Sequence, residues 1–123
     1  MALHGPPAEN GKIQPYFDDL KIKYSSCKSD VSALTFNKIK CNKTLTELGF
    51  NCAKSLHHKK GNSINTYQIT KTLGLPCFIK PNQGGSSFGI SKVNNEDEIK
   101  DAINNALIHD DIVLMEQFID GVE

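Results

Sequence analysis

The chain has 123 residues, with 14 basic and 14 acidic side chains and no net charge when its histidines are neutral. That length suits one domain of ordinary size or pieces of two, and 38% hydrophobic with 23% charged residues fits a soluble globular protein. Zero net charge argues against a polyanion binder held mainly by counterion release, and no apolar run approaches the ~20 residues of a membrane span.

Met1 is followed by Ala-Leu-His-Gly, with no basic start and no apolar h-region, so the expected compartment is the cytoplasm. All 14 basic residues are lysine. Any step needing a forked guanidinium must therefore come from outside this chain. Cys27, Cys41, Cys52 and Cys77 lie too far apart for zinc knuckles or a Cys-x-x-Cys redox pair, so reduced, mostly buried thiols are expected.

Ala2-Leu3 reads as the tail of a strand, and His4 to Gly11 as a polar loop. Ile13, Tyr16, Phe17 and Leu20 recur at helical spacing, with Pro15 tolerable in the first turn. Ile22 to Tyr24 suggests a short strand, and Ser25 to Asp30 a loop. Asp30 is a candidate N-cap for a helix carrying Val31 and Leu34. A second helix is expected from about Lys38 to Leu48, closed by Gly49. Phe50 to Leu56 is a candidate strand, and His57-His58 with Lys59-Lys60-Gly61 reads as a solvated loop rather than a metal site. From Gly61-Asn62-Ser63 the chain turns into a helix that runs to Leu73 before Gly74.

The remainder is the clearest. Leu75 to Pro81 reads as a strand, Asn82 to Gly89 as a glycine- and serine-rich loop, and Gly89 to Val93 as a short strand. Asn95 and Glu98 form a capping-box pair before an Ile99, Ala102, Ile103, Ala106, Leu107 stripe. Ile112 to Phe118 is the last strand. Mixed helices and strands put the chain in the α/β or α+β class. Both ends read as cut, so the sequence is expected to be a fragment of a longer protein.

Four features could carry chemistry. In Gln83-Gly84-Gly85-Ser86-Ser87-Phe88-Gly89, glycines let backbone N–H groups turn toward one anion and hydroxyls add donors. The Gly84–Gly89 separation is that of a P-loop, but Ile90 stands where the lysine belongs, and a plain hairpin turn remains open. Lys80, at the end of an apolar strand, can aim its ammonium across that loop or snorkel at a sheet edge. Glu116, in the apolar last strand, needs a partner: an adenine amino group or a lysine. His4 sits in a loop after a strand end, a frequent active-site placement in α/β folds.

Together these residues resemble the D-alanine–D-alanine ligases, an ATP-grasp family. Ala2-Leu3-His4-Gly5 with Glu9-Asn10-Gly11 and Gln14 is similar to that family's A-L-H-G-x-x-G-E-D-G-x-x-Q. Ser32-Ala33-Leu34 with Asn37-Lys38 is similar to S-A-L-x-x-D-K. Leu73-Gly74-Leu75-Pro76, Ile79-Lys80-Pro81 and Gly85-Ser86-Ser87-Phe88-Gly89-Ile90-Ser91-Lys92-Val93 are similar to L-G-L-P, V-K-P and G-S-S-x-G-x-S-K-V. Val113-Leu114-Met115-Glu116 with Gly121 and Glu123 is similar to V-L-[IV]-E…G-x-E. Ala8, Asn10, Gly84 and Gln117 depart from the common pattern.

The resemblance implies an α/β chain with an α+β ATP-grasp lobe: residues 1–29 ending a Rossmann-like domain, and residues 30–123 forming the smaller ATP-grasp subdomain. It implies that Lys38 and Lys80 hold ATP phosphates, and that the loop with Gly85, Ser86, Ser87 and Gly89 closes over the triphosphate. Ser86 and His4 would lie near the first D-alanine. Glu116, Gln117 and the Ile119 backbone would meet adenine, and Glu123 the ribose. The implied reaction activates one D-alanine as an acyl phosphate, which the amine of a second attacks, for peptidoglycan synthesis. Mg2+ would be held by carboxylates of a C-terminal lobe that this sequence lacks, and the whole protein would be a homodimer. The 123 residues alone are therefore expected not to turn over.

Overall fold

The computed structural model describes residues 4–121, so the expected strand tail at Ala2-Leu3 and the site residue Glu123 lie outside the described residues. The elements run α1 Gln14–Asp19, α2 Ser29–Phe36, α3 Lys38–Glu47, β1 Ser55–Lys59, α4 Thr66–Leu73, β2 Cys77–Pro81 and β3 Ser91–Val93. A short 3₁₀ turn, Glu96–Glu98, then leads into α5 Ile99–Ala106 and β4 Ile112–Gln117. The four strands form one sheet in the order β1-β4-β2-β3, and each neighbouring pair is antiparallel. Helices beside an antiparallel sheet make this an α+β arrangement.

Alternation along β2 decides the layering. Cys77, Ile79 and Pro81 are buried, while Phe78 and Lys80 are half-buried. Cys77 and Ile79 join Val93, Val113 and Met115 in one apolar cluster with Ile69 and Leu73 of α4 and Ile99, Ala102, Ile103 and Ala106 of α5. The expected stripe of α5 is thus the packed face, and Leu107 is half-buried against the same cluster. Burying an isoleucine such as Ile99 or Ile103, neither of which retains any exposed surface, stabilises the fold by roughly 1.5–3 kcal/mol.

The helix starts follow local chemistry. Asn37 and Asn65 cap α3 and α4, their side-chain oxygens accepting the Lys40 and Gln68 N–H groups at 3.0 Å. The capping box before α5 is half made. Glu98 accepts from the Asn94 N–H at 3.0 Å and from Asn95 Nδ2 at 2.9 Å, but the Asn95 side chain accepts no N–H of the turn. The Asn94 N–H above all, then the Asn95 amide, holds the Glu98 carboxyl below the ordinary glutamate range. Gly49, past the end of α3, has φ +88°, as its expected role after the helix requires.

Several expectations shift. Ile22 to Tyr24 forms no strand, and α2 begins at Ser29, so Asp30 lies inside its first turn and Lys28 is the capping position, without a side-chain bond. α4 begins at Thr66, after an irregular stretch from Ser63 to Asn65. The strand expected at Phe50 to Leu56 starts five residues later and ends three later, at Ser55–Lys59. Phe50 is 63% exposed, whereas His58, read as a loop residue, is buried. Pairing with β4 explains both: Leu56 and His58 sit opposite Met115 and Val113, on the helix-covered side. The four cysteines are free as expected, but only Cys77 is buried; Cys41 and Cys52 are half-buried and Cys27 is exposed.

Candidate functional site

The second face of the sheet carries the polar residues. Phe78 pairs with Glu116 and Lys80 with Leu114 in the β2–β4 register, so all four share this side. The Lys80 ammonium forms an ion pair with Glu116 Oε2, and these side chains keep only 22% and 15% of their surface exposed. The other carboxylate oxygen of Glu116 accepts from Asn42 Nδ2 of α3 at 2.8 Å. The partner that Glu116 required is thus the lysine, and α3 reaches over the sheet to complete it. Phe118 extends the face beyond β4, its ring 6.0 Å from that of Phe78 and 4.2 Å from the Lys92 ammonium.

Lys38 comes to the same place from α3. Its ammonium donates to the Gly84 carbonyl at 3.0 Å and the Asn82 carbonyl at 3.3 Å. Asn82 is almost wholly buried and acts as the joint. Its carbonyl takes the Lys38 N–H at 3.2 Å, its Oδ1 takes the Ile39 N–H at 2.9 Å, and its own N–H donates to the Ile112 carbonyl at 2.9 Å. Burial pushes the Lys38 ammonium below the usual lysine value and the Lys80 charge adds to that, while Asp110 and Glu116 oppose it. Two ammonium groups therefore share one partly dry corner at the root of the glycine-rich loop, with Glu116 paired to Lys80 and Asp110 the stronger counter-charge for Lys38.

The loop itself is a turn from Ser86 to Gly89. Ser86 and Ser87 have φ +54° and +60°, a left-handed backbone that costs roughly 1–2 kcal/mol at each non-glycine position. Both are exposed, and their hydroxyls make no hydrogen bond among the described residues. Gly85 faces the amino-terminal loop: a Cβ there would sit 2.7 Å from Glu9 Oε2. Glu9 Oε1 in turn lies 3.7 Å from His4 Nδ1, in a largely exposed pair. The fold thus gathers His4, Glu9, Gly85 and Ser86 at the tip of the loop, and Lys38, Lys80 and Glu116 at its root.

Gln117 and Ile119 stand differently. Strand alternation puts Gln117 on the helix-covered side, its N–H donating to the Lys54 carbonyl at 2.9 Å, and Ile119 lies past the strand end, 64% exposed. Residues that motif reading left without a role are Phe78, Asn42, Asn82 and Asp110. Asn42 is four residues after Lys38, so helical spacing could have placed both on one face of α3. Asn82 and Asp110 act through backbone groups distant in sequence, and no local pattern marks them. Among the described residues, no three His, Cys, Asp or Glu side chains gather as metal ligands, and none of the helices is long and apolar enough to cross a membrane.

The chain is similar to known proteins over essentially its whole length. Residues 42–123 match a family model described as D-ala D-ala ligase C-terminus. Over 123 residues the chain is 49% identical to a D-alanine–D-alanine ligase of Phocaeicola vulgatus, covering all of this chain and 38% of that protein. A D-alanine–D-alanine ligase of Bacillus anthracis, solved in complex with ATP, superposes with a TM-score of 0.83 at 28% identity, over 98% of this chain and 40% of that one. The VanG D-Ala:D-Ser ligase of Enterococcus faecalis superposes with a TM-score of 0.86 at 37% identity, over 97% of this chain and 35% of that one. The chain therefore spans less than half the length of these relatives.

Proposed function

Because the chain belongs to the D-alanine–D-alanine ligase family, we propose that its open sheet face holds ATP for a ligase that joins two D-alanines. The observation that carries this is the meeting of the Lys38 and Lys80 ammonium groups at the root of a loop whose serine hydroxyls are free among the described residues. Each charge-assisted contact to a phosphate contributes roughly 1.5–3 kcal/mol. On this reading Lys38 exchanges its carbonyl partners for phosphate oxygens, and Lys80 shares its charge between Glu116 and the nucleotide. Ser86, Ser87 and the backbone around Gly85 and Gly89 close over the triphosphate and exclude water. Glu116 and the backbone at Gln117 and Ile119 meet adenine, beside the Phe78 ring. Glu123 takes the ribose hydroxyls.

His4 and Ser86 lie toward the first D-alanine, whose carboxylate receives the phosphoryl group before the second amine attacks. This segment works by positioning and charge stabilisation. The carboxylates that would hold Mg2+ would belong to the rest of the protein. The same holds for the choice between a second D-alanine and another acceptor. Residues 1–29 end the preceding domain and 30–123 form the nucleotide lobe. Gly11 of the first segment packs on α2, where a Cβ would overlap the Ser29 carbonyl and lie 3.1 Å from the Ala33 nitrogen of the second. The whole protein would act as a cytoplasmic homodimer in cell-wall synthesis.

Lys80→Ala in the full-length enzyme tests the reading. ATP affinity or D-alanine-dependent phosphate release is expected to fall at least about tenfold, with the circular dichroism spectrum unchanged. Unaltered ATP binding would remove Lys80 from the site.

A further inference from the structure

Both stems of the serine loop rest on one turn that the proposed function leaves idle. Residues 107–110, between α5 and β4, carry His109 and Asp110. On the entering side, Asp110 Oδ2 accepts the Gln83 N–H at 2.7 Å, and its Oδ1 accepts the Ile112 N–H at 3.2 Å. Asp110 is thus bonded at once to the loop and to the start of β4. On the leaving side, Gly89 has φ +69° and lies flat against His109: a Cβ there would sit 2.5 Å from His109 Cδ2 and 3.0 Å from Pro81 Cγ. The Phe88 ring lies tilted beside the same imidazole, 6.3 Å between centroids and 35° between planes.

We propose that Asp110 is a positioning residue for ATP, fixing the serine loop through the Gln83 N–H while His109 bears on the Gly89 stem. The inference rests on the ligase reading and deepens it. Geometry gives Asp110 this role, since Gln83 is the last residue before Gly84, whose carbonyl Lys38 holds. The stretch from Asn82 to Gly84 is therefore gripped from two sides, by a cation of α3 and an anion of the α5–β4 turn. Asp110 also favours the charged form of the Lys38 ammonium, against the burial that disfavours it. Removing the carboxylate frees the stem and weakens the charge state of the lysine. Both effects fall on the loop root and on Lys38, at the triphosphate end, away from the Ser86 and His4 tip that lies toward the D-alanine.

The test compares Asp110→Ala and Asp110→Asn in the full-length enzyme. Asp110→Ala is expected to raise KM for ATP about tenfold, while KM for D-alanine stays within about twofold. Asp110→Asn keeps an acceptor oxygen but loses the charge, and is expected to raise KM for ATP about threefold. Hydrogen exchange at the Gln83 amide, measured without nucleotide, speeds up in the alanine variant. A KM for ATP unchanged in both variants overturns the inference, as does an equal rise in both Michaelis constants, which marks a general loss of structure. Should Asp110→Ala not fold, Asp110→Asn decides alone: the threefold rise supports the role and an unchanged KM overturns it. Absence of D-alanine-dependent phosphate release in the unvaried enzyme defeats the ligase reading itself, and this inference with it.

Discussion

The two faces of the sheet are built from the same strands and do opposite work. On one, Cys77, Ile79, Val113 and Met115 disappear under α4 and α5. On the other, one residue along, Phe78, Lys80 and Glu116 stay half-buried, and the charged pair is completed by a single amide from α3. The packed face is apolar apart from His58 on the edge strand and Gln117 at the end of β4, so burial supplies most of its energy. The open face holds charges that water would otherwise solvate, and their pairing fixes direction more than it adds stability. A strand of alternating character thus carries a packed platform and a charged, half-buried surface at once.

Substitutions on the two faces should therefore fail differently. The largest effect is expected from Ile103→Ala, which empties the centre of the packed face. It should lower the unfolding free energy by about 2–5 kcal/mol in urea denaturation, and any loss of ATP binding should follow only from loss of fold. Glu116→Ala on the open face strands the Lys80 ammonium and the Asn42 amide. It is expected to cost about 1–3 kcal/mol of stability and to weaken ATP binding in the folded protein, whereas Glu116→Gln keeps an acceptor and loses less. If Glu116→Ala cost as much stability as Ile103→Ala, the contrast between the faces would be broken. Asn37→Ala removes the cap that starts α3 immediately before Lys38, with an expected loss of about 1 kcal/mol by thermal or urea melting.

The smallest effect is one of pH. The folded-state pKa of Lys38 is lowered, so the native state sheds that proton before the unfolded chain does. Stability should rise with pH between the lowered value and the ordinary lysine value, while phosphate binding through this ammonium falls over the same interval. ATP affinity should therefore decline on the alkaline side before an ordinary lysine would titrate. Lys38→Arg should remove that decline, and a profile that keeps it would assign the titration elsewhere.

What the sequence made legible follows the same division. The stripe of α5 and the alternation of β2 and β4 were visible because burial on one face leaves a period in the residues. β1 was not, because an edge strand of Ser-Leu-His-His-Lys has little apolar content and owes its place to pairing with β4. Lys38, Lys80 and the serine loop were readable as motifs. Their connection was not: Asn82 and Asp110 act across the fold through hydrogen bonds to backbone groups, which leave no periodic trace, and only the helical spacing from Lys38 pointed to Asn42.

The central claim is that nucleotide occupies the open face between Lys80, Glu116 and the serine loop. Hydrogen exchange of the full-length enzyme with and without ATP tests it most directly. Protection is expected at 83–90 and at the 116–119 strand end, with the α4–α5 layer unchanged. Protection confined to α4 and α5, with the serine loop exchanging as fast as in the free protein, would contradict it.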